Sequence, residues 1–215
     1  MAFFTSTEIK EPLVEAQTKQ AIARRGAESV GLLLLVAGGL VALLFGSFTP
    51  SDPSFFHATD APPANFLGVP GAMAADLLHR SLGWGAWGIP IIFGTWGLRF
   101  LFHYGEGRLV RRMILVPFAI GLASVFASAH APVNGWPHDY GLGGWFGDAV
   151  LGGLLSAIPT NIGLSLVTVT LALLAGLLTL SVIAMGATWR EVRFCLLYTS
   201  PSPREQRGSR MPSSA

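Results

Sequence analysis

The chain has 215 residues, 51% of them hydrophobic and only 12% charged, with 26 glycines and six tryptophans. Soluble domains carry about twice that charged fraction. The composition therefore excludes an ordinary soluble protein and fits helices in lipid, where glycine permits close approach and tryptophan favours the water boundary. A net charge of +2 without a basic block interleaved with aromatics gives no sign of a nucleic-acid surface, and one cysteine, Cys195, excludes a disulfide framework within the chain.

Residues 1–27 are polar and of mixed charge, and read as a solvated cytoplasmic arm. Arg24-Arg25 then introduces an apolar run, as in a secretion signal. From Val30 to Phe48 that run is longer than the 7–15 residues of a signal core, and no small-x-small cleavage site follows closely. It is expected to be an uncleaved anchor and the first of four spans, at about 28–49, 84–102, 113–130 and 162–187. The expected fold class is thus all-α: a polytopic membrane protein with four transmembrane helices and one or two short interfacial or re-entrant helices.

The first span should stop abruptly at Thr49-Pro50-Ser51-Asp52-Pro53-Ser54, because two closely spaced prolines cannot continue a helix. Asp52 and the serines favour turns and local backbone bonding. An irregular loop to about Gly71 is followed by an amphipathic stretch, 71–82, with Met73, Leu77, Leu78 and Leu82 opposed to Asp76, His79 and Arg80. This pattern predicts an interfacial helix leading into span two. Gly83, Gly85, Gly88 and Pro90 predict a kink there. A basic connection, His103 to Arg112, leads to span three, and a second outer loop covers about 131–160. Within it, Ala149 to Ile158 is apolar but too short to cross a bilayer, and reads as re-entrant or interfacial, with Asp148 near its start. After Phe194 the apolar pattern ends. Residues 195–215 read as translated adapter or assembly read-through rather than native protein, so the native chain is expected to continue past Phe194.

Charge placement orients these spans. Setting the tail aside, Lys10, Lys19, Arg24, Arg25, Arg99, Arg108, Arg111, Arg112, Arg190 and Arg193 all fall on one side of the four-span arrangement, and only Arg80 falls on the other. Cytoplasmic loops keep Lys and Arg, so both termini are expected inside, with Arg24, Arg25, Arg99, Arg108, Arg111, Arg112 and Arg190 as inner-face anchors. Gly38, Gly39, Gly94, Gly97, Gly121 and Gly176 are the expected helix-packing positions.

Chemistry-bearing motifs are few. Gly83-Trp84-Gly85-Ala86-Trp87-Gly88 matches G-x-G-x-x-G, but no strand precedes it, so close helix packing is the better reading. Gly143 and Gly147 form G-x-x-x-G at a loop-to-helix junction and read as a turn. His130, His138 and Asp139 could gather around a metal, and Ser128, His130 and Asp139 could be read as a triad. Solvated loop histidines are commoner, and no nucleophile elbow is present. The last lysine is Lys19, so the chain holds no Walker A motif. Neither catalytic, cofactor-binding nor metal-binding residues are expected.

Ser47-Phe48-Thr49-Pro50-Ser51-Asp52-Pro53-Ser54-Phe55 resembles the motif that follows the first span in FtsK-type (FtsK/SpoIIIE) bacterial DNA translocases. Asn65 to Ala72, Ala75 to Leu78, Trp96 to Arg99, Gly143 to Asp148, Leu154-Leu155 and Asn161 to Gly163 are similar to further stretches of that family, so the likeness covers about residues 25–190. The resemblance makes Pro50, Ser51, Asp52, Pro53 and Ser54 a family-motif loop. It implies a membrane-anchoring, septum-targeting domain in the bacterial inner membrane, associating as a hexamer with other cell-division membrane proteins. ATP, magnesium and DNA would engage only a motor beyond this fragment, which itself should hydrolyse nothing. The alternative is a stand-alone four-span transporter or membrane enzyme, which the lack of charge in the span cores disfavours.

Overall fold

The computed structural model describes residues 16–103, 109–132, 136–158, 162–187 and 193. Every element among them is helical: α1 (Ala16–Gly46), α2 (Gly68–Leu82), a 3₁₀ segment (Gly83–Trp87), α3 (Gly88–Leu101), α4 (Leu109–Ser128), α5 (Gly144–Ala157) and α6 (Ile162–Met185). They divide into two compact units. The first holds residues up to Ala75 together with Ile89–Gly107, and the second holds Asp76–Gly88 with the chain from Arg108. The expected tail, 195–215, lies outside the described residues.

In the first unit, α1 begins by Ala16, well before the apolar run. Ala16 to Arg25 is rich in Ala, Gln, Lys and Arg, all good helix formers, so the described part of the expected solvated arm, residues 16–27, is helix continuous with the span, while residues 1–15 lie outside the described residues. At the other end the Ser47 amide bonds the Leu43 carbonyl and the Phe48 amide bonds Phe45, tightening the last turn before Pro50 and Pro53. Glycine brings α1 and α3 together. A Cβ on Gly31 would sit 2.8 Å from the Gly97 carbonyl oxygen, and one on Gly38 would sit 3.1 Å from Phe93 Cβ. The opposite side of α1 exposes Leu32, Leu33, Val36, Leu40 and Leu43, as lipid contact requires.

The second unit is built on α4. Val125, Leu151, Val169 and Leu173 are its buried core, flanked by Leu122, Phe126 and Leu155, so α4, α5 and α6 share one apolar seam. α4 and α6 run antiparallel: Leu122 meets Gly176, while the Arg112 guanidinium lies against Gly186 just past the end of α6. That end is a Schellman cap. Gly186, at φ +76°, donates to Ile183 and Ala187 donates to Val182, which satisfies carbonyls that lipid could not. Thr168, Thr170 and Thr179 turn their hydroxyls back onto carbonyls four residues earlier for the same reason. Pro117 sits inside α4, where it removes one backbone donor.

Two helices, Thr18–Gly46 and Gly163–Met185, are long and apolar enough to cross a membrane by length and composition. The other two expected spans differ from their sequence outline. Residues 84–102 are not one helix: 3₁₀ geometry holds Gly83 to Trp87, and α3 has 14 residues. The apolar part of the third, Arg112–Ser128, is also short. The helix expected from Ala149 starts five residues earlier, at Gly144, which stands at φ +68°.

Candidate functional site

The family-motif loop is a closed knot on the end of α1. Asp52 is buried, and its two carboxylate oxygens accept the backbone N–H groups of Ala64 (2.9 Å) and Asn65 (3.0 Å). Asn65, also buried, donates its side-chain amide to the Leu44 carbonyl at 3.0 Å and accepts the Leu67 amide through Oδ1. Ser47 Oγ donates to Leu43 and accepts from the Phe66 amide. Both ends of a loop of more than a dozen residues are thereby fastened to the last turn of α1. Ser54 forms the local turn its residue type suggests, its Oγ accepting from Phe56 and His57. Pro50 and Pro53 stop the helix on either side of exposed Ser51. By residue type and position Asp52 reads as a local turn former. The partners are twelve and thirteen residues away, and no local pattern marks them; Asn65 was legible only as part of the family likeness.

The second unit carries a cluster of polar and aromatic side chains on α2 and the segment before α5. Asp76, 3% exposed, accepts Arg80 Nε at 2.9 Å through Oδ1, and Arg80 also stands 3.8 Å from Asp139. The Arg80 guanidinium lies 6.0 Å from the Tyr140 ring centre. His138 stacks on Tyr140 at 4.7 Å and lies 5.7 Å from His79, and Trp136 donates to the Tyr140 carbonyl while meeting His138 edge-on. Burial, reinforced by His138, lowers the His79 pKa to about 4 against the pull of Asp76. Burial likewise lowers His138, and raises Tyr140 to about 12. These are groups held neutral within an aromatic lid.

The arrangement offers little for catalysis. Ser128 Oγ donates to Asp148 Oδ1 at 2.7 Å, His130 pairs with the Phe126 carbonyl, and Asp139 faces Arg80, so the three possible triad members do not converge. No group of three metal-ligating side chains gathers among the described residues. Asp148 is one turn inside α5 rather than at its start, and its other oxygen accepts the Gly141 amide.

The glycines divide into packed and open positions. Gly38, Gly97, Gly121 and Gly176 face Phe93, Leu35, Phe146 and Leu122 respectively, whereas a Cβ on Gly39 or Gly94 would meet nothing within 4 Å. The space a side chain would take at Gly39 or Gly94 is therefore open, although the Gly94 backbone itself lies against Gly38. Gly85 lies against the Ser124 backbone and Gly88 against Ile120, so the G-x-G-x-x-G stretch forms a tight helix contact. Gly143 and Gly147 also close on Ser124, whose hydroxyl donates to the Gly143 carbonyl. Their G-x-x-x-G, expected as a mere turn, is thus a packing surface for α4. Among the expected anchors, Arg24 is exposed, Arg25 pairs with Glu28 at 3.1 Å, Arg99 is half-buried, and Arg112 lies against Gly186. Arg108 and Arg190 lie outside the described residues, as does the side chain of Arg111.

Residues 23–193 match the family described as the 4TM region of DNA translocase FtsK/SpoIIIE. Among curated relatives, DNA translocase FtsK of Brucella melitensis is 36% identical over 146 residues, 66% of this chain and 18% of the relative. The Bradyrhizobium diazoefficiens protein of the same name is 34% identical over 62% of this chain and 16% of its own length. That of Azospirillum brasilense is 28% identical over 85% of this chain and 29% of its own. The chain thus spans less than a third of the length of these relatives. No solved structure matches. A helical chain of lipid-facing spans, matched over most of its length, belongs to the FtsK/SpoIIIE DNA translocase family as its four-transmembrane membrane region.

Proposed function

We propose that this chain anchors a DNA translocase in the bacterial inner membrane at the division septum, with both termini in the cytoplasm. The motor that would use ATP and magnesium to move DNA would follow the fourth span. The observation that carries this reading is the match of residues 23–193 to the 4TM region of a translocase family, and the one-sided distribution of Lys and Arg supports the orientation. In this reading the helices associate as a hexamer around the septum, and the loop after α1 and the segment 131–143 face the periplasm, where other division proteins are within reach. The chain itself anchors and positions; hydrolysis belongs to the motor.

A fluorescent-protein fusion after Arg193, expressed in a dividing bacterium, should form a band at mid-cell. Uniform membrane fluorescence would remove septum targeting while leaving the anchor. Sequencing the source gene across the codon for Phe194 tests the rest. An open frame running into a linker and a Walker A motif is the expected result, and a frame ending at Ala215 would overturn the motor assignment.

A further inference from the structure

The loop between α1 and α2 exposes apolar side chains that a water-facing loop does not need. Phe66 is 78% exposed and Phe55 69%, with Leu67 also exposed, as is Val69 in the first turn of α2. Phe66 cannot drift from the end of α1, because its own amide is held by Ser47 Oγ and the neighbouring Asn65 side chain is held by the Leu44 carbonyl. The apolar part of α1, Val30 to Gly46, rises about 25 Å at 1.5 Å per residue, close to the roughly 30 Å hydrocarbon core. Its last turn, Leu43 to Gly46, therefore lies at the boundary away from Arg24 and Arg25. Anything bonded to Leu44 and Ser47 lies within one helical turn of that boundary. Phe55 follows Asp52 by three residues, so at most about 10 Å of chain separates it from the knot. On the lipid-facing side of α1 itself, Val36, Leu40 and Leu43 are also exposed.

We infer that this loop is an interfacial anchor: Phe66, with Leu67, Val69 and Phe55, inserts into the headgroup–acyl boundary of the bilayer beside the end of α1. The occupant of the patch is lipid. Apolar side chains at that depth gain by burial among acyl ends, and the buried Asp52–Asn65 knot supplies the rigid frame that holds them there. The motif after the first span then has a second physical role besides stopping the helix. It aims an apolar finger at the membrane surface. The inference requires α1 to span, and holds whether or not the protein gathers at a septum.

The test is site-directed spin labelling of the whole chain in phosphatidylcholine–phosphatidylglycerol vesicles. Cys195, the sole cysteine, is first replaced by serine, and single cysteines are then placed by Phe66→Cys, Phe55→Cys and, as an exposed control in the same loop, Ala61→Cys. The labelled side chains are exposed in each case, so no buried contact is lost. Collisions with a water-soluble nickel chelate should be several-fold fewer at 66 and 55 than at 61, while collisions with oxygen stay high. Chelate access at 66 equal to that at 61 would overturn the inference. Shielding of 66 from both reagents would overturn it too, because a protein surface, whether a second copy or a partner, would then cover the patch.

Discussion

Asp52 has the most to lose by substitution. Its carboxylate is buried and satisfies two backbone donors, Ala64 and Asn65. Asp52→Ala should leave those donors without their acceptor at a cost of about 1–3 kcal/mol. Hydrogen exchange at the Ala64 and Asn65 amides should then rise by roughly tenfold or more, with α1 unchanged. Unaltered exchange at both amides would mean the knot is decorative. Ser54→Ala should act only locally, on the turn to His57. His79 gives the residue scale its pH dependence. Folded, it gains a proton only near pH 4, whereas the unfolded chain gains one near 6.5. Between these values the unfolded state binds more protons, so stability is full above about pH 6.5 and falls as pH drops toward 4. His138, lowered by burial and by Arg80, pulls in the same direction, while Asp76 and Asp139 oppose it. The fluorescence of Trp136, which lies edge-on to His138, should report loosening over that window, and His79→Gln should flatten the response.

At the scale of elements, glycine separates the contacts that shape the fold from those that do not. Gly147 in α5 closes on the Ser124 carbonyl, and a Cβ there would stand 2.6 Å from that oxygen. Gly147→Ala should force α5 away from α4 and cost about 1–3 kcal/mol. In the same helix Gly152 meets nothing within 4 Å, so Gly152→Ala should stabilise by about 0.5–1 kcal/mol through helix propensity alone. Thermal unfolding of the two variants in detergent should move in opposite directions; equal shifts would refute the assignment. The same distinction explains what was legible beforehand. The all-helical class and the apolar runs of α1 and α6 follow from runs of Leu, Val and Ala long enough for lipid, and α1 stops where Pro50 and Pro53 require. The 3₁₀ turn at Gly83 to Trp87 arises because Gly83 and Gly85 are drawn against Leu142 and Ser124, contacts between residues far apart in sequence. Periodicity sees neither. The early start of α5 at Gly144 has the same origin, in a left-handed glycine packed on the Arg80 carbonyl. The Asp52 knot was legible as a motif by likeness, but not as a mechanism.

For the whole molecule, the question is how anchors of this kind associate. Lipid removes the hydrophobic drive between helices, so association relies on small residues that let backbones approach. Two of the expected packing glycines, Gly38 and Gly97, are already used between α1 and α3, where Phe93 and Leu35 fill the space. Gly39, adjacent to Gly38, is left open, as is Gly94 on α3. A bundle of several copies needs open small positions of this kind, and of the expected packing glycines these are the two that the first unit leaves open. Gly38→Leu should therefore damage the α1–α3 contact and lower thermal stability of the single chain. Gly39→Leu should leave that stability within about 0.5 kcal/mol, as a surface change does, yet reduce self-association in membranes, read by energy transfer between labelled copies in vesicles. If Gly39→Leu leaves energy transfer intact while Gly94→Leu abolishes it, the α3 face is the interface. If neither changes it, copies do not meet through these glycines, and association within the chain must come from the second unit.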